Sequence, residues 1–299
     1  MRILINGARL FFDVEGAALT PSGPTMREKS VLILVHGGPG HDHTSFKPEF
    51  GELADLVQVV YLDLRGNGRS DLGISSEWNL HQWAEDLREF CRALEIVKPI
   101  ILGQSFGGEV AMQFAATYPE ELSKLILLSC TAKLRLDRSL KVFDRLGGAE
   151  IRDLAEAYWH RPTPELHREY YQRCVPLYTT SPIHPDVLRR AITREEVARF
   201  YNGGEARTCN LLPGLRNVKC PTLVMGGTHD PITTIDDALD IVRALPAETT
   251  TFVPLPGCRH GPMREAPAIA MGVLRAFLKG ERIPSWNSRD ASEHSAQRQ

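Results

Sequence analysis

Residues 103–108 have the sequence GQSFGG, and this stretch decides the fold that we predict. A short apolar run precedes it at residues 100–102, and a helical pattern follows it at residues 106–117. The pattern G-x-S-x-G between a strand and a helix is typical of a nucleophile elbow, a sharp turn that exposes a serine hydroxyl. The small residues beside Ser105 permit that turn, so we predict that Ser105 is a nucleophile. The same glycines would also suit an ordinary tight turn.

Apolar runs typical of buried strands recur along the chain. They lie at residues 31–35, 57–62, 100–102, 125–128, 222–225 and 250–253. Helical patterns lie between them, such as the i, i+3, i+4, i+7 spacing of apolar side chains from Leu80 to Leu94. Continuous apolar runs that alternate with helices predict an α/β fold with a mostly parallel central sheet flanked by helices. Ligands of such sheets bind beyond the carboxyl ends of the strands.

One segment breaks this alternation. Residues 133–212 have helical patterns but no buried-strand run, so we predict an inserted helical cap. The core of the fold is then made of residues 1–132 and 213–280. Residues 281–299 are polar and without periodicity, which predicts a disordered tail.

Two polar clusters follow predicted strands and supply an acid and a base. Asp230 comes after the run at residues 222–225, and His260 comes after the run at residues 250–253. The order Ser105, Asp230, His260 along the chain is the nucleophile, acid, base order of α/β-hydrolases. We therefore predict that these three residues form a catalytic triad.

Neighbouring residues offer alternatives for the acid and the base. His229 adjoins Asp230 on the same loop, which leaves it badly placed to bridge to the nucleophile. Asp236 and Asp237 fall within the next predicted helix, where we expect both carboxylates to be solvated.

An oxyanion hole is predicted from the loop after the first buried strand. Residues 36–40, with the sequence HGGPG, directly follow the run at residues 31–35. A loop at this place supplies one backbone N–H, and the residue after the nucleophile supplies the other. The candidate donors are the amides of Gly38 and Phe106, since Pro39 has no N–H to donate.

On these motifs the chain resembles the α/β-hydrolase superfamily over about residues 1–280. Residues 63–70, DLRGNGRS, match the D-x-R-G-x-G-x-S turn of that superfamily, which the resemblance implies is structural. Within the superfamily, HGGPG at residues 36–40 is similar to the signature of the proline iminopeptidase (prolyl aminopeptidase) branch. The resemblance implies an enzyme that removes an N-terminal residue, often proline, and a helical cap whose glutamates bind the free amine.

Two residues depart from the pattern of that branch. Phe106 stands where proline iminopeptidases usually carry Trp or Tyr, and Pro231 stands where some relatives place an amine-binding glutamate. The resemblance therefore assigns the amine to carboxylates of the cap, with Glu205 as first candidate and Glu195 and Glu196 behind it. A buried carboxylate that faces an ammonium group compensates the desolvation of both charges. Most glutamates on cap helices would instead be solvated.

Aromatic residues of the cap are candidates for the substrate pocket. They are Trp159, Phe200 and Tyr201, which would equally suit the core of the cap. Residues 41–43, with the sequence HDH, lack the further ligands that a zinc site needs, so we predict no metal and place them at the mouth of the site. We also predict no cofactor.

Composition excludes several other classes of function. The chain has 299 residues, and 35 Lys and Arg against 37 Asp and Glu give a net charge of −2, without the basic excess that nucleic-acid binding requires. The apolar runs are shorter than the roughly 18 residues of a membrane span, and the N-terminus has no secretory apolar segment. The cysteines form no C-x-x-C pair, which favours reduced thiols and a cytoplasmic protein.

The sequence thus predicts a serine hydrolase that cleaves an amide or ester through an acyl-enzyme. The first hypothesis is a proline iminopeptidase-like aminopeptidase acting on a small molecule or short peptide, and it makes no prediction of oligomeric state. A carboxylesterase or lactonase is the alternative that Phe106 and Pro231 favour. A non-catalytic ligand-binding protein is a remote alternative, which the intact set of Ser105, Asp230 and His260 opposes.

Overall fold

A sheet of eight strands forms the centre of the computed structural model, which describes residues 1–181 and 183–283. The strands in these residues are β1 (Arg2–Ile5), β2 (Ala8–Glu15), β3 (Leu19–Ser22), β4 (Thr25–Glu28), β5 (Val31–Val35), β6 (Gln58–Leu62), β7 (Ile100–Gln104), β8 (Lys124–Leu128), β9 (Thr222–Gly227) and β10 (Thr250–Leu255). Their order across the large sheet is β1-β2-β6-β5-β7-β8-β9-β10. The β1–β2 and β2–β6 pairs are antiparallel and the other neighbours are parallel, which confirms the predicted sheet.

Helices cover both faces of this sheet. Those in the described residues are α1 (Leu80–Ala93), α2 (Phe106–Thr117), α3 (Leu136–Gly147), α4 (Ala149–His160), α5 (Pro164–Arg173), α6 (Pro185–Arg190), α7 (Glu195–Gly203), α8 (Leu212–Leu215), α9 (Ile235–Ala244), α10 (Pro262–Glu265) and α11 (Pro267–Lys279). Side chains alternate along a strand, so Ile33 and Val35 pack with α1, α2 and α9, whereas Leu32 and Leu34 pack with α11 on the opposite face.

The structure differs from the sequence predictions at two elements. Strands β3 and β4 form a separate two-stranded hairpin whose side chains are mostly exposed, so no apolar pattern marked it. The sequence pattern of residues 262–278 predicts one helix, but the structure splits this segment into α10 and α11 at Ala266. Pro267 follows that residue, and a proline moves the preceding backbone out of the helical region, here to φ −140° and ψ 58°.

The segment between β8 and β9 holds helices α3 to α8, and no strand occurs in its described part. Helices α3 to α7 lie within residues 133–212, where the cap was predicted. Phe143 and Tyr158 belong to a small apolar cluster of their own. Val197 and Tyr201 of α7 instead join the main core beside α1 and α2. The cap therefore lies over the end of the sheet that carries Ser105.

The end of the chain is described only as far as residue 283. The N–H of Glu281 donates to the carbonyl of Ala276 at 2.9 Å, just past the end of α11. Residues 284–299, most of the predicted tail, lie outside the described residues. No helix of the described chain is long and apolar enough to cross a membrane.

The DLRGNGRS turn at residues 63–70 fixes the loop that was predicted to hold an oxyanion donor. Arg65 is buried and forms a two-point ion pair with Asp86 of α1, with N···O distances of 2.7 and 2.9 Å. The Oδ1 atom of Asn67 accepts a hydrogen bond from the N–H of Gly40 at 2.6 Å. The turn thus attaches the loop at residues 36–40 to the first helix of the core.

Candidate active site

Ser105 lies in a strained turn between β7 and α2. Its backbone has φ 53° and ψ −122°, a conformation that is rare for a residue with a side chain. A Cβ at Gly103 would lie 2.3 Å from the carbonyl oxygen of Gly107, and a Cβ at Gly107 would lie 2.1 Å from the carbonyl oxygen of Val35. Both glycines of the G-x-S-x-G pattern are therefore required by the close approach of α2 to β5 and β7.

The structure brings the three predicted triad residues together. The Nε2 atom of His260 lies 3.0 Å from the Oγ atom of Ser105. The Nδ1 atom of the same ring lies 2.7 Å from Oδ2 of Asp230. Asp230 and His260 are on the loops after β9 and β10, which are parallel neighbours, so their carboxyl ends meet at one edge of the sheet.

Asp230 is held by its own loop. The carboxylate is 1% exposed, and its Oδ1 atom accepts hydrogen bonds from the N–H groups of Ile232 and Thr233 at 2.9 and 3.0 Å. The hydroxyl of Thr233 donates to Oδ2 at 2.8 Å. These donors orient the carboxylate toward Nδ1 of His260, which places the proton on Nδ1 and leaves Nε2 free to accept one from Ser105. Thr233 was not identified from the sequence.

The alternative acids lie away from this arrangement. Asp236 is exposed, as predicted. Asp237 was also predicted to be solvated, and that prediction is wrong, since the residue is 2% exposed. Its carboxylate accepts hydrogen bonds from Thr234 at the start of α9 and pairs with Arg138 of the cap at 2.6 Å. Burial raises the pKa of Asp237 despite these partners.

Both predicted oxyanion donors border the cavity that contains Ser105. Phe106 is the first residue of α2, and the N–H of a first helical residue has no acceptor within its own helix. The loop with Gly38 packs directly on the elbow, because a Cβ at Gly37 would lie 3.2 Å from the Cβ of Ser105. Gly38 has a φ of 56°, which favours glycine at this position.

A cavity of about 920 Å³ lies over the triad, between the sheet and the cap. Its wall is rich in aromatic rings, which are Phe106, Tyr158, Trp159, Tyr170, Tyr171, Tyr178 and Tyr201. Several are joined by hydrogen bonds, since Trp159 donates to the hydroxyl of Tyr170 at 3.2 Å and the hydroxyls of Tyr170 and Tyr178 are 2.5 Å apart. Trp159 and Tyr201 thus line the cavity, whereas Phe200 is exposed and packs on Trp78.

Glu205, the predicted amine ligand, is not among the described residues that border this cavity. Its Oε2 atom accepts a hydrogen bond from the N–H of Leu80 at 2.9 Å, at the start of α1. The carboxylate is attracted there by the unpaired N–H groups and positive end of the α1 dipole. Glu195 does border the cavity but is exposed, and Glu196 is exposed as well. The direction of the short turn after α7 determines where the Glu205 side chain lies. The spacing of residues in the sequence does not encode that direction.

Glu109 is the carboxyl group that the sequence analysis missed. It lies on α2, four residues after Ser105, and borders the cavity. The hydroxyl of Tyr201 donates to its Oε2 atom at 2.5 Å. Burial, together with the charge of Glu205, raises the pKa of Glu109 to about 8. The available signal was the single charged residue of α2, which stands one helical turn after the nucleophile.

The predicted mouth residues divide between two roles. His41 and Asp42 border the cavity, and burial lowers the pKa of His41 to about 4. The Nδ1 atom of His43 lies instead 2.7 Å from Oδ1 of buried Asp63, beneath the loop. No cluster of three or more His, Cys, Asp or Glu side chains suited to a metal ion occurs in residues 1–181 and 183–283.

The fold and the triad geometry define an α/β-hydrolase. Comparison with known families agrees, since the family described as "Serine aminopeptidase, S33" matches residues 27–267. The chain belongs to this family of hydrolases.

Individual relatives include both peptidases and esterases. A proline iminopeptidase of Lactiplantibacillus plantarum is 29% identical over 276 residues, which cover 86% of this chain and 94% of that protein. The crystal structure of a proline iminopeptidase from Mycobacterium smegmatis superposes with a TM-score of 0.75 at 22% identity, covering 94% of this chain and 97% of that one. A thermophilic esterase from Thermogutta terrifontis has a TM-score of 0.69 at 25% identity, with coverage of 94% and 98%.

The raised pKa of Glu109 predicts how stability depends on pH. The folded carboxyl keeps its proton up to about pH 8, whereas the unfolded one releases it near its ordinary value of 4.5. Stability is therefore lost as the pH rises from about 5 to 8. In E109Q this loss is absent, so we expect the variant to gain stability over the wild type with rising pH, reaching about 2–4 kcal/mol above pH 8.

Thermal or urea unfolding of both proteins between pH 5 and 9 measures this difference. A stability difference between E109Q and wild type that stays constant across the range would contradict the assignment.

Proposed function

We propose that this protein is a serine hydrolase of aminopeptidase type, which cleaves the bond after an N-terminal residue through an acyl-enzyme. The observation that carries the proposal is the contact series from Ser105 through His260 to Asp230 at the floor of a large cavity. The reaction needs no cofactor, since nucleophile, base and oxyanion donors are all groups of the chain.

The mechanism follows from the distances. His260 accepts the proton of Ser105 at Nε2 while Oγ attacks the carbonyl carbon of the substrate. The N–H groups of Gly38 and Phe106 stabilise the resulting oxyanion, and each such donor typically contributes about 3–4 kcal/mol to the transition state. His260 then gives the proton to the leaving group, and water hydrolyses the acyl-enzyme by the reverse steps. Asp230 orients the ring and stabilises its cationic form.

Glu109 is the group that we assign to the substrate amine. It follows Ser105 by one helical turn, so an amine on the acyl part of a substrate bound to Ser105 lies on the same side of the cavity. A cationic amine favours the charged carboxylate and offsets the desolvation that raises the pKa of Glu109. Tyr201 holds the carboxyl in place through its hydroxyl.

A carboxylesterase is the second candidate, and cavity size favours it. A volume of about 920 Å³ is at the upper end of small-molecule sites and far exceeds one prolyl group. The aromatic wall suits large apolar acyl groups, and Glu109 with a pKa of about 8 is largely uncharged at pH 7. The esterase of Thermogutta terrifontis supports the same alternative.

The cellular setting is proposed on separate grounds. All six cysteines are free thiols, which supports a reducing, cytoplasmic compartment. The proposed partner is a small molecule or short peptide, because the cavity has the dimensions of such a ligand.

Replacing the nucleophile tests the mechanism. We expect S105A to lose at least about 10³-fold in kcat on both prolyl-para-nitroanilide and a short para-nitrophenyl ester, because both pass through the same acyl-enzyme. Its melting temperature should match that of the wild type, since Ala keeps the Cβ that already fits this turn. Retention of most of the turnover in S105A would contradict the proposal.

A matched pair of glutamate variants tests the amine site. In E109Q, kcat/KM for prolyl-para-nitroanilide should fall by about 10- to 100-fold, while an ester without an amine changes less than about threefold. E196Q is the control, because Glu196 is exposed on α7 and is not among the described residues that border the cavity. It should change stability by less than about 0.5 kcal/mol and leave the ratio of the two activities unchanged. Equal losses on both substrates in E109Q would contradict an amine site.

A further inference from the structure

An arginine whose Nε atom has no acceptor among the described residues borders the cavity. Arg264 lies on α10, four residues after His260. Its Nε atom is buried and has no hydrogen-bond partner in the described structure. The guanidinium packs against Gly261, the residue after His260, because a Cβ at Gly261 would lie 2.8 Å from Nη2 of Arg264.

The other arginines that border the cavity already have acceptors. Arg194 donates to the carbonyl oxygen of Gly68 at 3.2 Å, and Arg168 pairs with Glu165 at 3.4 Å. Neither is close in sequence to a catalytic residue, whereas Arg264 follows His260 by four residues. Arg264 therefore differs from both in its position and in its Nε atom, which is unpaired in the described residues.

Two carboxylates lie near Arg264, and neither forms an ion pair with it in the described part of the chain. Glu265 is engaged elsewhere, since its carboxylate accepts hydrogen bonds from the N–H groups of Thr180 and Arg259. Glu49 interacts with Arg264 only through its charge, without a close ion pair. Burial lowers the pKa of Arg264, and the charges of Glu49 and Glu265 offset this in part. The guanidinium thus bears a desolvation cost that no described group fully compensates.

We infer that Arg264 binds a carboxylate on the leaving group, so that the substrates are short peptides with a free C-terminus. This inference rests on the proposed function for the bond that is cleaved. His260 must reach the leaving nitrogen to protonate it, so the leaving residue lies against His260. Arg264 borders the same cavity and packs on Gly261, the next residue of the chain, so we place the carboxylate of the leaving residue at Arg264. A guanidinium binds a carboxylate by two parallel hydrogen bonds, one of which can come from the Nε atom that has no acceptor in the described residues.

Two ionisable groups of the cavity match the two ends of such a peptide. Glu109 follows the nucleophile on α2, and Arg264 follows the base on α10. The ammonium group belongs to the acyl part of the substrate, and the carboxylate belongs to the leaving part. The leaving amino acid departs with the proton from His260, and water supplies the atoms for deacylation.

Kinetics on a matched pair of dipeptides test the inference. We expect the wild type to cleave Pro-Ala with a kcat/KM about 10- to 100-fold above that for Pro-Ala amide, which lacks the carboxylate. R264M should lower the value for Pro-Ala to that for the amide and leave the amide within about threefold. R264K, which keeps the charge, should retain part of the preference, and R168M is the control for a cavity arginine that is already paired.

Equal values of kcat/KM for Pro-Ala and its amide in the wild type would by themselves overturn the inference. A loss of both activities by the same factor in R264M would overturn it as well, because that result indicates a structural role.

Binding of a simple carboxylate separates this inference from the proposed function. Benzoate should bind the wild type more tightly than uncharged benzamide does in calorimetric titration, and R264M should abolish that difference. If neither dipeptide is cleaved but benzoate binding depends on Arg264, the aminopeptidase proposal fails and the anion site stands. Benzoate and benzamide that bind equally, or a difference that R264M preserves, overturn the anion site.

Discussion

Ser105 adopts a backbone conformation that residues with side chains avoid, and the surrounding structure is built to hold it there. Three close approaches fix the turn, between Gly103 and Gly107, between Gly107 and Val35, and between Gly37 and Ser105. Each brings a different element against the elbow, namely α2, β5 and the loop after β5. The same contacts that force the strained turn therefore align the nucleophile, the first N–H of α2 and the loop that carries Gly38.

Two ionisable side chains that border the cavity, Glu109 and Arg264, bear a cost of desolvation. Glu109 and Arg264 are both partly buried, and burial shifts the pKa of each toward the uncharged form. Neither forms an ion pair with a side chain in the described structure, unlike Arg65, whose charge is matched by Asp86. The substrate that we propose carries both charges and would compensate the desolvation of both groups.

Much of this site was predictable from the sequence, because the strands carry strong local signals. Each triad residue follows an apolar run that forms a parallel strand. The carboxyl ends of parallel strands lie at one edge of the sheet, so the sequence predicts that the three residues meet there. What failed depended on the direction of short turns and on contacts between distant segments. Glu205 points to α1 rather than the cavity, and Asp237 is buried because Arg138 of the cap reaches it. No local pattern encodes either contact.

Glu109 and Arg264 also show what the sequence does not encode, namely which residues border the cavity. Each stands four residues after a triad residue, Glu109 in the first turn of α2 after Ser105 and Arg264 in α10 after His260. The sequence shows this spacing but does not show that the two residues border one cavity. The wall of that cavity includes residues of α4, α5 and α7, whose packing over the sheet is a tertiary contact. Substrate recognition therefore depends on tertiary contacts, whereas the catalytic machinery depends on the sheet.

The activation of Ser105 by His260 is the central claim, and covalent labelling measures it most directly. A fluorophosphonate probe should add once per chain to the folded protein, and mass spectrometry of its peptides should place the adduct on Ser105. The rate of labelling should fall by at least about 10²-fold in H260A, since the serine then lacks its base. Absence of an adduct, an adduct on another residue, or a rate that H260A leaves unchanged would contradict the account.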